Sequence, residues 1–279
     1  VVLGGTVPHY FLIQNLKGRG YRVLLVDYHD NPPAASVADR HIQESTLDQD
    51  AVLEISKREQ ASLVMSGAVD QANVTACYVA EQLGLPAPYS NETALRVTDK
   101  SLMKEGMVRA GVPTAVHEVI TQEQIPAYRC ADYPKVVKPC DCNGSKGVRK
   151  INTQHELTTA LSGACELSRT GKAIVEDFNQ GIEVNGYFVV SQGRVVELYT
   201  KRKSLPRTDG AASLQSFVSV GPEKLSDKAR SRFADAVEAI ARQFNLDNTP
   251  ILAQANIAGD DVWFIEFAPR VGGGLSFRE

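Results

Sequence analysis

Lys138-Pro139-Cys140-Asp141-Cys142-Asn143-Gly144-Ser145-Lys146-Gly147-Val148 joins two stretches that read as β-strands, the first being Lys135–Lys138. Small residues between two strands make a flap. Gly144 and Gly147 let the backbone close over an anion, Ser145 adds a hydroxyl donor and Lys146 a positive charge. Taken alone, the segment reads first as a plain hairpin loop with a solvated lysine, so its meaning depends on what surrounds it.

Upstream, Asp99 caps a helix that runs through Leu102, Met103, Met107 and Val108 until Gly111-Val112-Pro113 stops it. Lys100 falls in the first turn, where the helix dipole disfavours a cation unless an anion binds there. Either Lys100 and Lys138 are surface lysines or they converge on a triphosphate, where a charge-assisted hydrogen bond is worth about 1.5–3 kcal/mol. Spacing leaves both readings open.

Downstream, the pattern is α+β. Strands are expected at Thr114–Val119 and Ala173–Phe178, with a helix from Thr153 to about Ser168 between them. Glu183–Lys203 reads as a hairpin turning at Ser191-Gln192-Gly193. Ser226 caps a helix with Phe233, Val237, Ile240 and Phe244 on one face. A last hairpin pairs Ile251–Ile257 with Val262–Phe267. If its turn is the three-residue loop Gly259-Asp260-Asp261, Ala258 pairs with Val262 and Gln254 lies opposite Glu266, while Ile265 and Phe267 face the core. A two-residue turn would flip that register. The polar face then reads equally as a Mg²⁺ site with oxygen ligands or as a solvent-facing strand surface.

Residues 1 to about 90 differ from this. Val1–Leu3, Arg22–Tyr28 and Leu63–Ser66 read as strands between stretches of helical spacing, the signature of a doubly wound α/β unit, and Gly84, Pro86 and Pro88 mark a linker at 84–90. Leu3-Gly4-Gly5-Thr6 joins strand to helix, and Asp27 ends the second strand where a ribose-binding acid would stand. The third glycine of a dinucleotide fingerprint is missing, so a nicotinamide-dependent oxidoreductase is kept only as an alternative.

With 279 residues the chain has room for two domains or three small ones. A net charge of −3 gives no general field for nucleic acid or anionic lipid, and no apolar run approaches a membrane span. The 5 cysteines are scattered without a C-x-x-C pair, which fits reduced thiols in a cytoplasm and no zinc site. His9, His29, His41, His117 and His155 form no cluster. Lys201-Arg202-Lys203 and Arg207 read as a solvated basic strand end before they read as an anion site. The start at Val1 and the stop five residues after Gly272-Gly273-Gly274 suggest a trimmed start and a C-terminal truncation.

Taken in order, Lys100, Lys138 with the Gly144–Gly147 loop, Glu176-Asp177-Phe178, Glu183 and Phe264-Ile265-Glu266-Phe267-Ala268-Pro269-Arg270 resemble the ATP-grasp superfamily, on its carbamoyl-phosphate-synthetase and amino-acid-ligase side. The resemblance implies a Rossmann-like pre-ATP-grasp domain at 1–90 and a two-part clamp at 91–279, with a small lid at about 114–180 and an incomplete C-terminal part at 181–279. It implies an ATP- and Mg²⁺- (or Mn²⁺-) dependent carboxylate–amine or carboxylate–thiol ligase. Such an enzyme works through an acyl phosphate and releases ADP and phosphate. The partners implied are small-molecule carboxylates and amines, in a homodimer. Lys100 and Lys138 would hold phosphates, with Gly144, Ser145, Lys146 and Gly147 covering them. Glu176, Asp177 and Phe178 would line adenine, and Glu183 would take the ribose hydroxyls. Glu266 and Gln254 would bind metal, and Glu266 and Arg270 would serve catalysis. Ala268 departs from the family by standing where many members have a metal-binding asparagine, and Gln254 replaces the commoner glutamate. Ala268 favours a second alternative, an ATP-binding regulatory module with weak or no turnover. A kinase that phosphorylates a small molecule without ligating it is a third.

Overall fold

Short apolar runs between amphipathic stretches build a parallel sheet at the amino-terminal end. The computed structural model describes residues 1–204 and 218–272. Its first unit runs β1 (Val2–Leu3), α1 (Val7–Gly18), β2 (Leu24–Asp27), β3 (Arg40–Gln43), α2 (Gln49–Arg58) and α3 (Asp70–Leu83), with the strands parallel in the order β1-β2-β3. Leu3, Val26, Val52, Ala76 and Val79 are buried where helices meet sheet. The expected strand Leu63–Ser66 is reduced to one bridge, Val2 with Met65, because β1 beside it is only two residues long. β3 escapes a sequence reading because Arg40-His41-Ile42-Gln43 has no apolar alternation.

After the break at Gly84 come α4 (Asn91–Thr98), capped by Ser90, and α5 (Lys100–Arg109), capped by Asp99, whose carboxylate accepts from Ser101 N and Leu102 N. A four-stranded antiparallel sheet follows: β4 (His117–Thr121), β5 (Lys135–Pro139), β6 (Arg149–Ile151) and β7 (Lys172–Asp177), in the order β4-β7-β5-β6. It is covered by α6 (Gln154–Leu167) through Leu157, Leu161 and Ala164. β4 starts later than the expected Thr114 because Thr114 first bridges Phe264 of the other sheet, donating from its Oγ1 to the Phe264 carbonyl at 2.8 Å.

The second antiparallel sheet comprises β8 (Ile182–Ser191), β9 (Arg194–Ser204), β10 (Val218–Val220), β11 (Thr249–Ala258) and β12 (Asp261–Ala268), in the order β10-β9-β8-β11-β12. Across it packs α7 (Asp227–Gln243), whose Phe233, Val237 and Ile240 are buried, with Phe244 just beyond its end also in the core. Edge-on aromatic contacts tie helix to sheet: Phe188 to Phe233 at 5.2 Å, Phe233 to Phe264 at 5.3 Å and Phe244 to Phe267 at 5.1 Å. Among the described residues no helix is long and apolar enough to cross a membrane.

The β11–β12 hairpin corrects one expectation in a way that matters for the site. Its turn has two residues, since Ala258 pairs with Asp261 and Ile257 with Val262, so the simple register should have been lost. A bulge between Gln254 and Ala255 restores it: Ala255 pairs with Phe264, Ile265 is the extra residue, and Gln254 faces Glu266. Phe264 and Phe267 therefore point into the core, and Ile265, expected there, lies on the cavity side.

Candidate active site

Lys138 is the last residue but one of a central strand, β5, and Glu176 lies on the neighbouring β7, and both line a space bordered by residues of the two antiparallel sheets. Lys138 Nζ donates to Glu176 Oε2 at 2.7 Å, and Lys104 Nζ, one turn along α5 from Lys100, lies 3.3 Å from Glu176 Oε1. Glu176 is 4% exposed, Lys138 7% and Lys104 1%. Burial alone would raise the Glu176 carboxyl, but the ammonium groups of Lys104 and Lys138 outweigh it and hold it at about 2. For Lys104 burial wins over the same carboxylate and brings the amine down to about 8. Burial also opposes the charge on Lys138, yet Glu176 and Glu266 more than compensate and raise it.

Lys100 reaches the same place from the first turn of α5. Its Nζ donates to the Cys142 carbonyl at the root of the glycine loop and lies 3.5 Å from Glu266 Oε2. Lys100, Lys138, Glu176 and Glu266 border a cavity of about 400 Å³, with Lys104 behind Glu176. Gly144 and Ser145 roof it; Asp177, Phe178 and Glu183 border it, as do Gln254 and Glu266. Lys135 engages Asp177 at 2.5 Å, Lys150 sits 3.8 Å over the Phe178 ring, and Lys203 pairs with Glu183. A second cavity of about 590 Å³ adjoins the first through Lys100, Gln254 and Glu266, and there Ala268 and Arg270 form part of the wall. Arg270 is gripped by Asp70 at the start of α3, Nε to Oδ1 at 2.6 Å and Nη2 to Oδ2 at 2.7 Å. Burial opposes the guanidinium charge, and Asp70 outweighs it.

Thirteen residues were expected at the site, and they divide. Lys100, Lys138, Gly144, Ser145, Glu176, Asp177, Phe178, Glu183, Gln254 and Glu266 border the first cavity, and Arg270 the second. Lys146 is exposed and borders neither. Gly147 also stays outside: with φ +75° it sits where an added Cβ would meet Leu167 and Pro139 at 2.8 Å, so it packs the foot of the loop. Arg207 lies outside the described residues. Sequence reasoning missed Lys104, whose signal was its four-residue spacing from Lys100 on one helix face. It also missed Trp263 on the first cavity, and Asp70, Gln71 and Asn185 on the second, where Asn185 Oδ1 is buried without a hydrogen-bond partner. Nothing local marks those positions.

The amino-terminal glycine turn holds no such space. Asp27 spends its carboxylate on the turn itself, accepting from Gly5 N at 2.6 Å and His29 N at 2.9 Å. Pro32 covers Gly5 and the His9 ring covers Gly4. A cavity of about 850 Å³ between α1 and the Asn248–Pro250 segment is mostly apolar, and of the expected site residues only Arg270 borders it.

A family model for the ATP-grasp domain matches residues 131–279, more than half of the sequence, and these include β5, the glycine loop, β7 and the whole β11–β12 hairpin. The chain belongs to the ATP-grasp family. Formate-dependent phosphoribosylglycinamide formyltransferase of Burkholderia thailandensis is 27% identical over 269 residues, 91% of this chain and 64% of that protein. The chain thus spans less than two thirds of that relative's length. Among solved structures, L-amino acid ligase from Bacillus licheniformis superposes with a TM-score of 0.81 at 19% identity, covering 99% of this chain and 67% of the ligase. The biotin carboxylase domain of Hydrogenobacter thermophilus 2-oxoglutarate carboxylase, solved with MgADP, ADP and bicarbonate, superposes with a TM-score of 0.79 at 18% identity, covering 99% and 65%. At these identities the likeness speaks for the ATP-grasp fold.

Proposed function

We propose that this chain is the nucleotide-binding and phosphoryl-transfer part of an ATP- and Mg²⁺-dependent carboxylate–amine ligase. The observation that carries the reading is the meeting of Lys100, Lys138, the glycine loop and Glu266 around one cavity that opens into a second. The division proposed with it is an amino-terminal unit at 1–90 and a clamp at 91–279, with a lid at about 114–180 and a C-terminal part at 181–279. Small carboxylates and amines are the proposed partners, in a cytoplasmic homodimer.

Lys138 and Lys100 bind phosphate oxygens, and Glu176 and Glu266 keep the buried Lys138 amine charged. Gly144 and Ser145 cover the phosphates, with Gly147 as the pivot of the loop, while Glu176 through Phe178 run along adenine and Glu183 accepts the ribose hydroxyls. For the metal the donor chemistry fits: Glu266 and Gln254 present a carboxylate and an amide oxygen across one strand pair. Among the described residues no three His, Cys, Asp or Glu side chains cluster for a metal, so water and phosphate oxygens would complete the shell. Mg²⁺ or Mn²⁺ supplies neutralisation of phosphate charge. The substrate carboxylate, aligned in the second cavity by Arg270, attacks the γ-phosphorus and expels ADP; the amine then attacks the acyl carbon of the acyl phosphate, forms the C–N bond, gives up a proton and displaces phosphate. Positioning and charge neutralisation suffice, and no nucleophilic side chain is needed.

The test is ADP release from Mg-ATP against pools of amino acids and small carboxylic acids, in the parent and in Glu266→Ala. Substrate-dependent release that falls at least about 100-fold in the variant supports the ligase, in line with the loss of one transition-state charge partner. Nucleotide binding with no pool stimulating turnover would instead favour a binding module, the reading that Ala268 supports.

A further inference from the structure

The amino-terminal unit borders the second cavity through Ala68 and the first turn of α3, and on that turn two consecutive side chains each hold a separate part of the site. Asp70 grips Arg270 with two parallel hydrogen bonds. Gln71 grips the amino-terminal root of the glycine loop with both ends of its amide: its Nε2 donates to the Asp141 carbonyl at 2.8 Å, and its Oε1 accepts from Asn143 Nδ2 at 3.0 Å. Gln71 borders only the second cavity, whereas Asn143 borders both. The helix that carries the pair is itself anchored to the end of β12, since Asn73 donates to the Tyr89 hydroxyl and that hydroxyl donates to the Pro269 carbonyl at 3.1 Å.

We infer that Gln71 is the latch of the glycine loop, setting how long the loop stays closed over a nucleotide and tying that closure to the aim of Arg270 through Asp70. The inference rests on the nucleotide reading of the first cavity. Two features separate a latch from incidental packing. The amide uses its donor and its acceptor on the loop at once, which fixes the loop's position instead of merely touching it. The tip of the loop is open, since Gly144 has no neighbour within contact of an added Cβ and Lys146 is exposed, so the loop is seated from its root, where Lys100 on the Cys142 carbonyl and Arg169 on Asp141 join Gln71. Because Asp70 precedes Gln71 on the same rigid turn, a loop seated on Gln71 and an arginine seated on Asp70 share one frame. Closure over nucleotide and alignment of the second cavity then occur together. Gln71 acts here as a positioning residue, through the loop.

The chain has a single tryptophan, Trp263, and it borders the first cavity, so its fluorescence reports nucleotide there. MgADP affinity is measured by calorimetry and its dissociation rate by stopped-flow Trp263 fluorescence, in the parent, Gln71→Leu, Asn143→Ala and the double variant. The expected result for Gln71→Leu is about tenfold faster release and tenfold weaker binding, the scale of losing two neutral hydrogen bonds. Asn143→Ala should give a smaller effect, and the double variant should be no worse than Gln71→Leu, because both act on one latch. Parent-like release from a folded Gln71→Leu overturns the latch and leaves the nucleotide cavity standing, as does a double variant whose effects simply add. A parent with neither heat nor fluorescence change on MgADP addition overturns the nucleotide reading, and the latch with it.

Discussion

Gly4-Gly5 and the Gly144–Gly147 loop both follow a β-strand and both read as anion turns, and of these two one is open. Over Gly4-Gly5 the protein has packed its own groups: an added Cβ at Gly5 would lie 2.3 Å from Pro32, and one at Gly4 2.7 Å from the His9 ring. The nearby acid, Asp27, is consumed by the backbone of the turn. Over Gly144 there is nothing within contact, and the cations beneath the loop face a cavity. Glycine therefore has two uses here. In the first turn it lets protein approach protein, and in the second it leaves room for something else. A nicotinamide-dependent reading of the first turn fails on this packing.

Removing the cation under the open loop tests the comparison with the largest expected effect. Lys138→Met leaves the buried Glu176 with one partner in place of two, and breaking a buried pair in this way costs about 3–5 kcal/mol. Urea denaturation should show the midpoint falling accordingly. A change below about 1 kcal/mol would mean that Lys104 alone satisfies Glu176.

The closed turn is tested through pH. Burial holds the His9 imidazole at about 4, against 6.5 for a free histidine, and it accepts from Gly67 N at 3.3 Å. Between pH 6.5 and 4 the unfolded chain takes up a proton that the folded chain does not, so stability falls as pH falls. The contribution is complete above 6.5 and amounts to roughly 3 kcal/mol at its limit. Denaturation at pH 7 and pH 4.5 should show His9→Gln losing less stability on acidification than the parent. Equal losses would remove His9 from the account.

A paired substitution gives the smallest effects and sharpens the contrast. Gly5→Ala should destabilise by about 1–3 kcal/mol through overpacking against Pro32, and leave MgADP affinity unchanged. Gly144→Ala meets no neighbour but must hold φ +62°, so it should cost about 1–2 kcal/mol in the loop alone. That cost should appear as weaker MgADP binding with little change in the global midpoint. The reverse pattern would exchange the roles of the two turns.

How much of this was legible beforehand differs from element to element. The Asp99 and Ser226 caps, the Phe233-Val237-Ile240 face and the turn at Gln192-Gly193 are local patterns, and the structure has each where the pattern puts it. The facing of Gln254 and Glu266 was expected for the wrong reason: the turn is one residue shorter than supposed, and a bulge at Ile265 makes up the difference. Bulges depend on what the strand packs against on either side, which a hairpin's own residues do not state. α4 and β3 were missed because one is brief and the other polar.

By itself the sequence determined the order of the parts: an α/β unit, then a clamp with lysines, a glycine loop and an acidic hairpin in succession. Caps, periodicity and turn residues act within a few positions of themselves, and that range is readable from the chain. Only the tertiary structure decided which charges meet. Asp70 and Arg270 are 200 residues apart, Lys104 and Glu176 come from a helix and a strand of different layers, and Pro32 rather than a ligand covers Gly5. Burial of a charge and the closing of a space depend on groups brought together from distant stretches, and no local pattern records them.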